Sequence, residues 1–290
     1  MCLYPIMMRN PKYLPNKKNK GSPETPSDER LLWVPVGCGK CEQCMKQRAD
    51  SWRVRLMEEI KANKSGVFVT LTINPDNLEK LTEEAKTNVR SDVKQTIDDE
   101  VARLAVRRFL ERWRKKFKKS VKHWLITELG HTGTERLHLH GIIFTENKEE
   151  IEDRWGYGWV YIGQYVNEKT VNYIIKYCTK RDKDHPNWRG KIYCSAGIGS
   201  SYKHNNKNQE YYRDRQGFIH ALPHYYKNKA YTELEREKLW LAKIEENAGF
   251  IKGKKYYLND EWDFQRYWEE TQIAITESER KGYKGRRKSD

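Results

Sequence analysis

No stretch of this 290-residue sequence is apolar enough or long enough to cross a bilayer. The opening run, Met1-Cys2-Leu3-Tyr4-Pro5-Ile6, lacks a charged segment followed by an apolar one, so no secretory signal is read there. The expectation is an intracellular protein without a membrane partner, in a compartment where thiols stay reduced. There, six cysteines read as thiols or metal ligands rather than disulfides. No internal repeat is found. Acidic residues are in short supply: 41 against 56 Lys and Arg, a formal charge of +15. Phosphate polymers are the usual partners of such a surplus, because each neutralised phosphate releases a counterion. The chain is polar, yet seven Phe, ten Trp and eighteen Tyr argue against disorder and for a packed core.

Residues 1–35 hold several prolines and a polar basic stretch from Asn16 to Lys20, and read as an irregular arm. A helix is expected from about Met45 to Ala62, where Trp52, Leu56 and Ile60 share a face. Val67–Ile73 is rich in β-branched residues and stops at Asn74-Pro75, as a buried strand does. Residues 76–120 read as helical. Val106, Phe109, Leu110, Trp113 and Phe117 form an apolar stripe there, and Arg107, Arg108, Arg112, Arg114, Lys115, Lys116, Lys118 and Lys119 crowd the rest. Those charges are either a solvated face or a DNA-backbone contact. Strands are expected at Lys122–Glu128, Leu137–Phe144 and Trp159–Val166, the first two joined as a hairpin through Leu129–Arg136. Helices are expected at Lys148–Arg154, Lys169–Arg181 and Thr232–Asn247, and an extended segment at Ile192–Gly199. Residues 240–290 yield only an amphipathic helix and a mobile basic tail from Arg280.

Strands separated by helices, with a hairpin in the middle, give an α+β class: an antiparallel sheet with helices on one face, in a β–α–β–β–α order compatible with a ferredoxin-like arrangement. The division expected is an N-terminal arm with the cysteine cluster and a helix (1–62), a central domain (63–230), and a helical extension with a basic tail (231–290).

His138-Leu139-His140 carries the most chemistry. Residues two apart on a strand face the same way, so both imidazoles can share a divalent ion while Leu137 and Leu139 enter a core. Gly141 leaves room beside the site. Glu128, across the hairpin, is the candidate third ligand, with Glu135 as runner-up. A carboxylate in the set favours a hard ion such as Mg2+ or Mn2+. Its open positions would take a phosphate oxygen, and the ion would act as a Lewis acid. Downstream, Tyr173 and Tyr177 lie four apart on one helix face, each followed three residues later by a lysine, Lys176 and Lys180. A phenol is a poor nucleophile at neutral pH, and a nearby ammonium favours its ionised form. Two such tyrosines allow one to hold a DNA 5′ end while the other makes the next cut. Cys38, Cys41 and Cys44 have a Cys-x-x-Cys-x-x-Cys spacing that suits a structural zinc ion, with Cys2 as the fourth ligand. Cys178 and Cys194 carry no spacing signal.

In combination these motifs resemble the HUH endonuclease superfamily. The order is that of the family: an apolar strand with threonines (Phe68-Val69-Thr70-Leu71-Thr72), then His138-Leu139-His140, then Tyr-x-x-Lys, here twice. The doubled tyrosine is similar to the replication initiators of the Microviridae. The Cys38–Cys44 block, Gly197-Ile198-Gly199 and Leu222-Pro223-His224-Tyr225-Tyr226-Lys227 are similar to the gokushovirus-type branch of that phage family. The resemblance implies an HUH/Rep-type domain with a central sheet carrying both histidines and the tyrosine helix beside it. It implies His138 and His140 as metal ligands, Tyr173 and Tyr177 as nucleophiles, and Lys176 and Lys180 as supporting cations. It implies nicking of one origin strand in the host bacterial cytoplasm, a covalent 5′-phosphotyrosine, a free 3′-OH for the host polymerase with its replicative helicase, and a second transfer that recircularises the displaced strand. Related readings are an HUH transposase, which often uses one tyrosine, and a relaxase, whose tyrosine lies upstream of the histidines. A reading of another class is a non-catalytic, zinc-containing protein that binds single strands by charge and by stacking on Trp113, Trp155 and Trp159.

Overall fold

The computed structural model describes residues 2–90, 92–130, 135–182, 184–204, 210–283 and 285. In chain order the elements are strands β1 (Ile6–Arg9) and β2 (Trp33–Val36), helix α1 (Glu42–Ala62), strand β3 (Gly66–Thr72), helices α2 (Pro75–Val89) and α3 (Lys94–Phe117), and strands β4 (Lys122–Leu129) and β5 (Leu137–Phe144). There follow helix α4 (Glu150–Trp155), strand β6 (Val160–Ile162), helix α5 (Glu168–Ile175) with a 3-10 turn at Lys176–Cys178, and strands β7 (Ile192–Cys194), β8 (Tyr211–Arg213) and β9 (Ile219–Ala221). The chain closes with helices α6 (His224–Ala230) and α7 (Glu233–Glu245), strands β10 (Ala248–Ile251) and β11 (Lys254–Tyr257), and helix α8 (Glu261–Arg280). These elements form two compact units, one of Met1–Arg48, His204–Tyr211 and Ala221–Asp290, the other of Ala49–Lys203 and Tyr212–His220.

The second unit is built on an antiparallel sheet with strand order β6-β3-β5-β4-β7. Without β7, the chain order β3-α-β4-β5-α4-β6 and the spatial order β6-β3-β5-β4 are those of a ferredoxin-like split β–α–β arrangement, as expected from the sequence. Alternation along the strands divides the apolar residues between two layers. Val67, Val69 and Leu71 of β3, and Leu137, Leu139 and Ile143 of β5, pack with Leu81 and Ala85 of α2, Phe109 and Trp113 of α3, and Ile151 and Trp155 of α4. Trp124 and Ile126 of β4, and Ile142 and Phe144 of β5, pack with Leu56, Met57 and Ile60 of α1 and with Val171, Ile174 and Ile175 of α5. Helices therefore cover both faces, not one. Every strand with an apolar residue at each position needs two apolar layers, and the second half of β5, Gly141–Phe144, is such a stretch.

Other departures from the sequence reading have local causes. The helical stretch 76–120 is two helices, because Arg90 takes a left-handed conformation (φ 49°) that caps α2. The strand expected over Trp159–Val166 shrinks to Val160–Ile162, which pairs with Val69–Leu71, and the Gly163 N–H makes one more bond to the Phe68 carbonyl. The expected helix Lys169–Arg181 ends at Ile175 and tightens into the 3-10 turn. The extended segment at Ile192–Gly199 is a strand only to Cys194; Gly197 and Gly199 have positive φ, and the Gly199 N–H donates to the buried Glu59 carboxylate at 2.8 Å. The strands β4 and β5 pair as the expected hairpin, and the middle of its link, residues 131–134, lies outside the described residues.

In the first unit, the arm is not wholly irregular: β1 and β2 pair antiparallel, Ile6 opposite Val36. The segment beginning Leu222-Pro223 leads into α6, where Tyr226 is buried. Residues 248–280 form a β10–β11 hairpin and α8. The hairpin turns on Lys252 and Gly253, both at positive φ, the backbone of a two-residue type I′ turn. Of the basic tail, Lys284 and residues 286–290 lie outside the described residues. Among the described residues, no helix is long and apolar enough to cross a membrane.

Gly141 faces away from the histidines. A Cβ there would run into the main chain of β4, at the carbonyl of Trp124 and the Cα of Leu125. Its small size serves the close approach of two strands, not space beside the metal ligands. Gly141→Ala is expected to cost at least about 1–3 kcal/mol, read as a lower urea midpoint with an unchanged m-value.

Candidate metal and tyrosine site

The antiparallel register of β4 and β5 sets Glu128 directly opposite His138. His140, two residues on, points to the same face. Glu128 Oε2 lies 3.2 Å from His138 Nε2 and 2.7 Å from His140 Nε2. The other nitrogen of each ring is held from behind. His138 Nδ1 donates to the Arg136 carbonyl at 3.0 Å, and His140 Nδ1 is 3.0 Å from the Thr70 hydroxyl on β3. Hydrogen bonds of this kind fix ring orientation and leave Nε2 to face an ion.

Burial raises the Glu128 carboxyl, but hydrogen bonds from His138, His140 and Lys180 outweigh it and hold the group well below the ordinary carboxylate range. Burial lowers His140, against the opposing pull of Glu128. An ionised carboxylate beside a neutral imidazole is the protonation pattern that divalent-ion binding requires. Glu128, His138 and His140 together can hold a metal ion. Glu135, the runner-up ligand, is elsewhere: it pairs with His185 at 2.9 Å.

The tyrosines converge on this group although α5 stops between them. Tyr173 sits in the last turn of α5 and Tyr177 in the 3-10 turn, and the Tyr177 hydroxyl donates to the Tyr173 oxygen at 2.8 Å. They are not equivalent. Tyr173 is 45% exposed; Tyr177 is 6% exposed and stacks on the His140 ring at 4.6 Å between centroids. Burial, then donation to Tyr173, push the Tyr177 phenol well above its ordinary value. The lysines also differ. The Lys176 ammonium lies 3.7 Å from the Tyr173 ring centroid, whereas Lys180 pairs with Glu128 Oε1 and is 5.6 Å from the Tyr177 ring.

The basic residues of α3 lie on the helix layer opposite the histidines, because the apolar stripe of that helix packs on the other sheet face. Several are engaged locally: Arg108 with Glu84, and Arg112 with the Arg154 carbonyl. Trp113 and Trp155 are core residues, while Trp159 is exposed.

In the first unit, Cys2, Cys38, Cys41 and Cys44 place their sulfurs within 4.8 Å of one another. The Cys2–Cys41 and Cys38–Cys44 separations are 3.9 and 4.0 Å. Four sulfurs around an ion with bonds of about 2.3 Å would be separated by about 3.8 Å, the edge of that tetrahedron. Backbone N–H groups of Tyr4, Cys38 and Cys41 donate to sulfurs of the cluster at 3.2–3.3 Å. The Cys44 hydrogen bond holds the Cys41 thiol below its ordinary value.

Residues 66–182 match a family model described as a replication-associated protein of the ORF2 kind. The matched segment runs from β3 through Lys180 and so contains Thr70, Glu128, both histidines, both tyrosines and both lysines. The match fits a rolling-circle replication initiator of HUH type and supports a role in starting DNA replication. No curated protein and no solved structure matches the chain significantly.

Thr70 is the residue the sequence reading did not assign. Period-2 alternation places it with Thr72 on the histidine face, which is the signal that points to it. Thr70→Val is expected to weaken Mn2+ binding about 10-fold with the fold intact, measured by titration calorimetry. Unchanged affinity would remove Thr70 from the site.

Proposed function

We propose that the chain is a phage rolling-circle initiator of the Microviridae type that nicks one strand at the replication origin and later rejoins it. The observation that carries the reading is the direct stacking of His140, one of three grouped metal-ligand candidates, on one of two hydroxyl-linked tyrosines. Single-stranded and origin DNA are the substrates, the host helicase and polymerase the partners, and the host bacterial cytoplasm the location.

Glu128, His138 and His140 would hold Mg2+ or Mn2+, which when bound supplies Lewis-acid polarisation of a phosphoryl oxygen. The remaining work falls to the protein. Tyr173, the exposed member of the pair, attacks the scissile phosphorus and loses its proton to solvent. The Tyr177 hydroxyl donates to its oxygen, and the Lys176 ammonium lies over its ring. The bond from phosphorus to the 3′-oxygen breaks, and that oxygen takes up a proton to become the free 3′-OH that primes synthesis. The 5′-phosphate remains on Tyr173. Tyr177 then makes the second cut, and the released 3′-OH attacks the Tyr173 phosphodiester to close the circle. Lys180 acts on Glu128, whose carboxylate it steadies.

The test is a denaturing gel of labelled origin DNA with Mn2+. Wild type is expected to give a protein-linked band that EDTA removes. Tyr173→Phe is expected to lose at least about 100-fold in the first cleavage, on the order of what a lost catalytic group costs. Tyr177→Phe is expected to keep that cleavage and lose rejoining. Tight DNA binding with no covalent band under any condition would favour the non-catalytic binding protein instead; a single active tyrosine would favour the transposase or relaxase reading.

We further propose that the four cysteines hold a structural zinc ion. Elemental analysis of protein purified without chelator is expected to find one zinc per chain. Its loss in Cys41→Ser, with Glu128→Gln retaining it, would separate this site from the catalytic one; absence of zinc in wild type would overturn the assignment.

A further inference from the structure

Beside Tyr173 the sheet edge opens into a cavity of about 560 Å3 lined by Phe68, Tyr161, Tyr165, Lys169 and Thr170, with Tyr173 itself as one wall. That volume lies within the range of about 300–1,000 Å3 usual for small-ligand sites. Half of its lining residues carry rings, and Gly163 and Gln164 complete the wall. Trp159, Tyr161, Phe68, Tyr173 and Tyr177 form a continuous series, with successive centroids 6.1, 6.1, 5.9 and 5.6 Å apart. The series runs from the exposed edge strand β6 to the ring stacked on His140. Its outer members are exposed, Trp159 at 61% and Tyr161 at 48%, and Tyr165, which lines the cavity outside the series, is 69% exposed. Lys169 in the cavity lining and Lys176 over Tyr173 add positive charge.

Exposed rings cost solubility unless they have a flat partner. Rings spaced along a basic path to a phosphate-attacking hydroxyl fit a single strand, whose bases stack on aromatic faces regardless of sequence. We propose that this cavity is a nucleobase subsite: it holds, unstacked from its neighbours, the base next to the scissile phosphate, with Tyr161 and Tyr165 as its stacking surfaces. The assignment rests on Tyr173 meeting a DNA phosphate, as the proposed function has it. The phosphate of a base held against the wall formed by Tyr173 is brought to that hydroxyl, so the cavity positions the strand for attack.

The test separates stacking from charge and from chemistry. Binding of the full chain to a fluorescein-labelled 15-mer of dT, and to a 15-mer with the same phosphates but abasic sugars, is measured by anisotropy in EDTA, where no cleavage intervenes. Wild type is expected to bind the dT oligomer at least about tenfold more tightly than the abasic one. Tyr161→Ala with Tyr165→Ala is expected to lose most of that margin while binding the abasic oligomer as before. Tyr161→Phe with Tyr165→Phe, which keeps both rings, is expected to restore it. If the alanine variant does not fold, the leucine pair replaces it. An equal loss on both oligomers, or none on dT, would overturn the subsite. The Tyr173→Phe protein is run alongside: a preserved dT margin with no covalent product from wild type would sink the nicking reaction alone, and a covalent product without the margin would sink the subsite alone.

Discussion

The pairing register of β4 with β5 governs the rest of the structure. Opposite partners Glu128 and His138, and Ile126 and His140, bring a carboxylate and two imidazoles to one side of the sheet while Leu137 and Leu139 go to the other. Slipping the register by one residue would turn the ligands into the apolar layer and the leucines out of it. The register is therefore enforced by burial on one face and used on the other. Gly141 tightens the same constraint, since the main chain of β4 occupies the space its side chain would need.

A pattern of period two is easy to read in a sequence, and that is why the His138–His140 pair, Glu128 and the two central strands were legible. Helical spacing brought Tyr173 and Tyr177 together for a reason only partly right. The helix ends at Ile175, and the phenols still meet because a 3-10 turn advances the chain through a similar angle. Elements whose existence depends on partners far along the chain were not legible. β1 and β2 are short, exposed on most residues and contain Pro35, so each shows no pattern without the other. The Lys252-Gly253 turn lacks the asparagine that usually announces such a hairpin, and the helix break at Arg90 rests on a left-handed residue that no propensity flags.

Charge was the least transferable signal. The chain carries a surplus of fifteen positive charges, yet the densest cluster, on α3, belongs to the layer remote from the histidines. At the tyrosines the surplus is reduced to a few lysines in separate places: Lys176 over a ring, Lys180 on a carboxylate, Lys169 in a cavity wall. Aromatic residues divide in the same way. Trp113 and Trp155 fill the core, while Trp159 at the sheet edge is left to solvent. Count and spacing do not distinguish these uses; the face of the sheet does.

The hydrogen bond between the two phenols has a further consequence. Tyr177 donates and Tyr173 accepts, so the pair has a direction. On the proposed chemistry, esterifying Tyr173 turns its phenolic oxygen into a poor acceptor, and the Tyr177 proton loses its partner. The buried phenol is then released from its neighbour only after the first bond to DNA has been made. The pair would thus keep a chemical record of which half of the cycle is complete, written in the orientation of a single proton.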